Sequence, residues 1–345
     1  MKIALVSSFV PFVLGGDRNI VEWLEERLCD HGHQVERIYL PFVENIPPAM
    51  FSQIDAYQLI DMSDSTDLLI AIRSPAYVLP HPRKVLWFLS HIRTYYDNWP
   101  NLEPTHPNSA ILNGCRRQLM GIDNRTIREA RRVFTISHVV SKRLLDFNGI
   151  ESEVLYPPLH RPEQFRCHGY NDEVVFVSRI EEHKRQHLMI EAMRHVKSAV
   201  KLRLCGTGLD QFYSDALKMA IDDYGLRDRV VFDNRRISED EKSDIVGRAL
   251  ACAFVSYNED YGYFSLEAAY AQKAVLTTTD SGGIVERIEH GVNGLIAEPQ
   301  PEAVAAALDA LYRDRDATIR MGRAAESRAR ELKFDWDHVI TRLLL

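Results

Sequence analysis

The sequence predicts an α/β protein of two consecutive doubly wound domains, and three observations predict it. Short apolar runs of strand length alternate with helix-period segments along most of the chain. The alternation breaks at residues 156–170 (YPPLHRPEQFRCHGY), where three prolines and two histidines carry little periodicity, and then restarts. The 345 residues are about twice the length of a common domain.

The elements follow in order. Residues 2–10 form a continuous apolar run. It resembles the apolar part of a secretory signal but is short, and it soon meets Pro11, Gly15, Gly16, Asp17 and Arg18, so it reads as a first strand. Residues 19–31 have helical spacing, with Ile20, Trp23, Leu24 and Leu28 on one face. Residues 34–40, 67–72, 85–90, 133–137 and 153–156 read as further strands. After the break, strands are expected at residues 173–177, 200–205, 230–232, 250–256, 274–278 and 294–297. Helices are expected at residues 185–196, 211–224 and 264–271. Residues 302–345 read as helical, with Gly322 and the FDW segment as breaks. No apolar run approaches the ~20 residues that span a bilayer.

Bulk composition excludes some functions. A formal net charge of −7 makes the whole chain a poor binder of polyanions, so no nucleic-acid partner is expected. The five cysteines, Cys29, Cys115, Cys167, Cys205 and Cys252, are odd in number and lack metal spacing. They read as free thiols in a reducing, cytoplasmic compartment. Residues 111–145 hold eight Lys/Arg and two acids, with Arg125, Arg128 and Arg132 spaced to share a helical face. Either a solvated helix face or a peripheral contact with the inner face of the cell membrane fits that pattern.

Two stretches carry chemistry. Ligands of doubly wound sheets bind outside the carboxyl ends of the strands, so residues at strand ends matter most. The strand at residues 174–177 is followed by Arg179 and Lys184, a fork and a point charge that suit a diphosphate. Surface cations paired with Glu181 and Glu182 are the plain alternative. The strand ending at Ser256 is followed by Glu259, Gly262 and then a helix from about Phe264 with Glu267 one turn in. Unpaired amides of Tyr263, Phe264, Ser265 and Leu266 would face a phosphate there. Acidic residues complementing the helix dipole account for one acid but not for the whole arrangement. His91, closing the apolar strand KVLWFLSH, is a candidate at the edge of the first sheet; a structurally satisfied histidine fits the position equally.

The segment NEDYGYFSLEAAYA, with Glu259 and Glu267 separated by seven residues, resembles the signature of the family-4 retaining glycosyltransferases of the GT-B fold. SRIEEHK resembles that family's Arg and Lys diphosphate pair. CGTGLD resembles its Gly-rich turn, and DSGGIVERIEHGVNGLIAEP its following tail. The resemblance is dense over residues 174–299. It implies two Rossmann-like domains facing a central cleft: an acceptor-side domain at 1–160, a nucleotide-sugar domain at 161–328, and a C-terminal helix at 329–345 packing back on the first.

The resemblance also implies roles. Arg179 and Lys184 would hold the donor diphosphate, with the 263–266 amides and the Tyr261–Gly262 turn beside it. Glu267 would bind the ribose, and Glu259 the sugar hydroxyls. Gly15 and Gly16 would approach the phosphates, and His91 would touch the sugar or the acceptor. The implied activity is metal-independent hexosyl transfer, with no cofactor, from a GDP- or UDP-linked sugar to a glycan or lipid-linked acceptor. A catalytically degenerate nucleotide-sugar-binding partner subunit and a GT-B epimerase are the alternatives. The sequence departs from the family at Asp260, Arg185 and Gln272, where Gly is usual, and at Ala274, where Pro is usual.

Overall fold

The computed structural model describes residues 1–11, 16–44, 47–102, 109–208, 210–332 and 335–345. The chain divides into two compact units, Met1–Pro158 with Asp335–Leu345, and Leu159–Phe334.

The first unit contains β1 (Lys2–Phe9), α1 (Gly16–Asp30), β2 (Gln34–Pro41), α2 (Pro47–Gln58), β3 (Leu68–Ala71), β4 (Lys84–Phe88), α3 (Trp99–Leu102), α4 (Ala110–Arg128), β5 (Arg132–Thr135), α5 (His138–Asn148) and β6 (Glu153–Val154). Its six parallel strands run in the order β2-β1-β3-β4-β5-β6. Strands β3 and β4 are buried along their whole length, which is why they read as unbroken apolar runs rather than alternating ones.

The second unit contains β7 (Glu173–Val177), α6 (Gln186–Met193), β8 (Lys201–Gly206), α7 (Gln211–Asp223), β9 (Val230–Asn234), α8 (Glu239–Arg248), β10 (Ala251–Ala253), α9 (Tyr263–Tyr270), β11 (Val275–Thr278), β12 (Gly294–Ala297), α10 (Pro301–Arg313) and α11 (Arg315–Glu331). Its six parallel strands run β12-β11-β10-β7-β8-β9. The chain moves outward from β7 to β9, then returns to lay β10 against the other side of β7. The order therefore reverses between β7 and β10. In doubly wound sheets that reversal opens a crevice at the strands' carboxyl ends.

The last helix, α12 (Trp336–Leu344), belongs to the first unit. It buries Trp336, Val339, Ile340 and Leu343, a 3–4 spacing that forms one apolar stripe. Trp336 meets Trp87 edge to face at 6.3 Å, and Arg342 grips Glu153. Asp335 caps the helix by accepting from the His338 amide at 2.7 Å. Among the described residues no helix is long and apolar enough to cross a membrane.

Three expectations are corrected. Arg125, Arg128 and Arg132 do not share a helical face, because α4 ends at Arg128 and Arg132 opens β5, paired with Val85. The Arg131 amide donates to the Lys84 carbonyl at 2.8 Å, so the sheet ladder takes over from the helix there. Gly322 does not break a helix: α11 runs through it, and the break falls at Asp314, which caps α11. A Cβ on Gly322 would stand 2.1 Å from the Gln272 carbonyl oxygen, so glycine serves close packing there. The helix expected from Arg185 starts at Gln186, because Arg185 has left-handed backbone (φ 59°).

Candidate functional site

The site is built from the loops that leave β7 and β10, the two strands flanking the reversal. After β7 the chain is held close to the end of β8: the Ser178 amide donates to the Cys205 carbonyl at 3.0 Å, and the Ile180 amide to the Thr207 carbonyl at 3.0 Å. Gly206 permits this. Its φ is 144°, and a Cβ would fall 1.8 Å from the Ser178 carbonyl oxygen. Arg179 then extends to the surface, where its guanidinium pairs with Glu181 at 2.6 Å. Lys184 turns inward and is only 7% exposed.

After β10 the loop crosses the carboxyl end of the sheet and is pinned to the loop that follows β11. The Asn258 amide donates to Asp280, the Glu259 amide to Ser281, and the Gly283 amide to Glu259. Gly262 then starts α9 with φ 75°, and a Cβ there would meet Ile284 Cγ1 at 2.5 Å. No side chain caps α9 at its start. Arg287 instead braces the turn, donating to the carbonyls of Tyr261 and Gly262 and to Ser265 Oγ (2.9 Å).

These loops bring Lys184 and Glu259 together, but the Ser265 amide, expected to be unpaired, donates to the Gly262 carbonyl at 3.1 Å. Lys184 Nζ lies 2.5 Å from Glu259 Oε2 and 5.4 Å from the centre of the Phe254 ring. Glu267 is buried one turn into α9 and accepts from Lys242 Nζ at 2.7 Å. Burial pushes the Glu267 carboxyl above its ordinary pKa, and Lys242 opposes the shift. Burial pulls Lys242 down, but Glu267 and Glu239 outweigh it, so its net shift is upward. Tyr261, Phe264 and Leu266 turn their side chains into the core, so only their backbone could serve a ligand. Tyr261 packs under Arg287 at 4.3 Å and edge to face with Tyr263 at 4.9 Å.

The departures from the family have visible counterparts. Arg185 and Gln272 both have positive φ, 59° and 57°. A glycine-compatible backbone persists there, with longer side chains held by specific partners. Arg185 forks onto Asp280 at 2.9 and 2.7 Å and lies over Tyr257 at 4.8 Å. Gln272 donates to Glu326 at 2.8 Å. Arg235 is engaged by Glu241.

In the first unit, Gly16 opens α1, and Gly15 lies outside the described residues. His91 is 5% exposed. Its Nε2 is 2.8 Å from Asn148 Oδ1, and its ring lies tilted against that of Tyr96, with centroids 4.0 Å apart. Asn148 in turn donates through Nδ2 to Asn124 at 2.7 Å, which directs its oxygen at His91. Of the basic residues in 111–145, Arg116 bonds the Tyr95 carbonyl, Arg125 bonds Gln58, and Arg128 bonds the carbonyls of Asn148 and Gly149. Arg131 bonds the Pro82 carbonyl and Lys142 pairs with Asp146. Much of that charge is thus engaged within its own unit.

Lys242, Arg287 and Asn148 are the contacts that sequence reasoning missed. Each acts on a residue far away in the chain, and no local spacing signals such a partner.

Residues 163–328 match the family described as glycosyl transferases group 1. The human alpha-1,3/1,6-mannosyltransferase ALG2 is 24% identical over 285 residues, 74% of this chain and 66% of that protein, so the aligned chain spans just under two thirds of that relative. HepE from Anabaena, solved in complex with UDP and glucose, superposes with a TM-score of 0.73 at 19% identity, over 99% of this chain and 100% of that one. Sucrose-phosphate synthase from Thermosynechococcus elongatus gives 0.76 at 15% identity, over 99% and 96%. Likeness at this level establishes the fold, which is GT-B.

Proposed function

We propose that the chain, whose residues 163–328 match the glycosyl transferases group 1 family, is a glycosyltransferase that moves a hexose from a nucleotide diphosphate sugar to a glycan or lipid-linked acceptor, with retention at the anomeric carbon and without a metal ion. The observation that carries the reading is the convergence of Lys184, Glu259 and the start of α9 at the β7/β10 reversal.

In this reading Arg179 and Lys184 take the diphosphate, and the start of α9 adds the positive end of its helix dipole. Lys184 then exchanges Glu259 for phosphate, which leaves the Glu259 carboxylate to accept hydroxyls of the sugar. Breaking the anomeric C–O bond puts negative charge on the diphosphate, and the two cations stabilise that charge in place of a divalent ion. The acceptor hydroxyl attacks from the face the diphosphate leaves, and the departing phosphate oxygen takes its proton. Glu267, oriented by Lys242, binds the ribose. His91, fixed by Asn148, contacts sugar or acceptor. The donor is GDP- or UDP-linked: the human relative is a mannosyltransferase, and HepE is solved with UDP. A lipid-linked acceptor would bring a peripheral membrane contact, which vesicle flotation at low and high salt tests.

The decisive test is calorimetry and thermal shift with UDP, GDP, ADP and their hexose conjugates on wild type and on the Arg179→Ala/Lys184→Ala double variant. One nucleotide stabilising only the wild type supports the site and names the donor class. No binding at millimolar concentration rejects the reading in favour of a degenerate partner subunit. Loss of turnover with EDTA rejects metal independence.

A further inference from the structure

We infer that Cys167 is a nucleophilic thiol, activated by Lys273, and the site of oxidation by hydroperoxides. Lys273, in the turn between α9 and β11, has no solvent exposure. A buried ammonium needs a partner of opposite charge or must give up its proton. Among the described residues Lys273 has no carboxylate partner. Its Nζ instead bonds the Gly169 carbonyl at 2.6 Å, lies 3.8 Å from the centre of the Tyr170 ring, and stands 3.4 Å from Cys167 Sγ. Of these groups the thiol is the one able to take a full negative charge near neutral pH.

Cys167 is partly exposed, whereas Cys205 and Cys252 are buried and burial pushes both thiols up to about 12. At Cys167 burial also works against ionisation, but the Gly169 backbone, the Tyr170 hydroxyl and Lys273 outweigh it, and the net shift is downward. An accessible thiol beside a cation is the environment in which thiolates react. The cluster lies outside the candidate donor residues, and the inference does not depend on the proposed transfer reaction.

The chemistry balances with a hydroperoxide as oxidant. The Cys167 thiolate attacks the terminal oxygen; the S–O bond forms as the O–O bond breaks. Sulfur is oxidised by two electrons to a sulfenic acid. The departing alkoxide or hydroxide takes the Lys273 proton, which leaves an alcohol or water and a neutral amine.

The test uses the intact protein. Hydrogen peroxide with a dimedone trap, and separately a pulse of iodoacetamide at pH 7, are read by peptide mass spectrometry. The expected result is modification of Cys167 about tenfold faster than of the more exposed Cys29. Lys273→Met is expected to remove that advantage and Lys273→Arg to retain much of it. Equal rates at Cys167 and Cys29 in the wild type overturn the inference, and so does an unchanged Cys167 rate in a folded Lys273→Met protein. The wild-type comparison decides even where a variant fails to fold.

Discussion

Lys184 Nζ and Glu259 Oε2 lie 2.5 Å apart, joining the loop after β7 to the loop after β10 across 75 residues of sequence. The pair is largely shielded, with side chains 8% and 19% exposed, so its electrostatics resist screening by salt. In the proposed reading this pair exchanges with a ligand carrying phosphate at one end and hydroxyls at the other.

Lys184→Ala is therefore expected to weaken nucleoside diphosphate binding by about tenfold to a hundredfold, the worth of a charge-assisted contact of about 1.5–3 kcal/mol. Binding of the nucleoside without phosphate should change little. Calorimetry on the two ligands checks this, and equal losses for both would show that the lysine only supports the fold. Glu259→Gln should retain nucleotide binding and lose transfer.

Lys242 and Glu267 make the second prediction. Lys242→Met leaves a buried carboxylate without its cation, a loss of about 3–5 kcal/mol where the charge persists. Burial already raises the Glu267 pKa in the folded protein, and removing Lys242 raises it further. For an acid raised on folding, the stabilising share is full below its unfolded pKa and is lost as pH rises through the folded one. Lys242, raised above 10.5, stays charged throughout the acidic and neutral range. The melting temperature gap between wild type and Lys242→Met should thus widen from pH 5 to pH 8; a constant gap would sink the argument.

A third prediction comes from backbone strain. Arg185 holds φ at 59° while bonding Asp280 through two nitrogens. Left-handed backbone costs a residue with a Cβ about 1–2 kcal/mol. Arg185→Gly loses the ion pair but sheds the strain; Arg185→Ala loses the pair and keeps the strain. The glycine variant should be the more stable of the two by about 1 kcal/mol in chemical denaturation. The same order is expected at Gln272, and alanine equal to or above glycine at either position would contradict it.

Positions such as Arg185 mark what the sequence could and could not convey. Buried parallel strands leave apolar runs, so β7 and β10 and the residues just beyond them were legible, and with them Arg179, Lys184, Glu259 and Glu267. The order of strands was not legible, since pairing β10 with β7 joins residues far apart in the chain. Lys242 sits in the polar stretch EDEKSD, which reads as an ordinary exposed helix start, yet its ammonium reaches a buried carboxylate on α9. Gly322 misled for the opposite reason. Glycine ordinarily weakens a helix, but here the neighbouring Gln272 carbonyl leaves no room for a Cβ.

The last prediction concerns the network beneath His91. Asp123 is 1% exposed and accepts hydrogen bonds from Tyr77 at 2.7 Å and Tyr96 at 2.5 Å; Tyr96 carries the His91 ring. Burial pushes the Asp123 carboxyl up to about 6 from 3.8, against the pull of the two hydroxyls. The stability it contributes is full below about pH 3.8 and is lost as pH rises through 6, on the order of 3 kcal/mol in all. Asp123→Asn removes the titration while keeping the shape. The variant should gain on the wild type in melting temperature between pH 4 and pH 7 and run parallel to it above that. Parallel behaviour across the whole range would mean that Asp123 titrates as an ordinary carboxyl, and that the tyrosines under His91 are held by packing rather than by its charge.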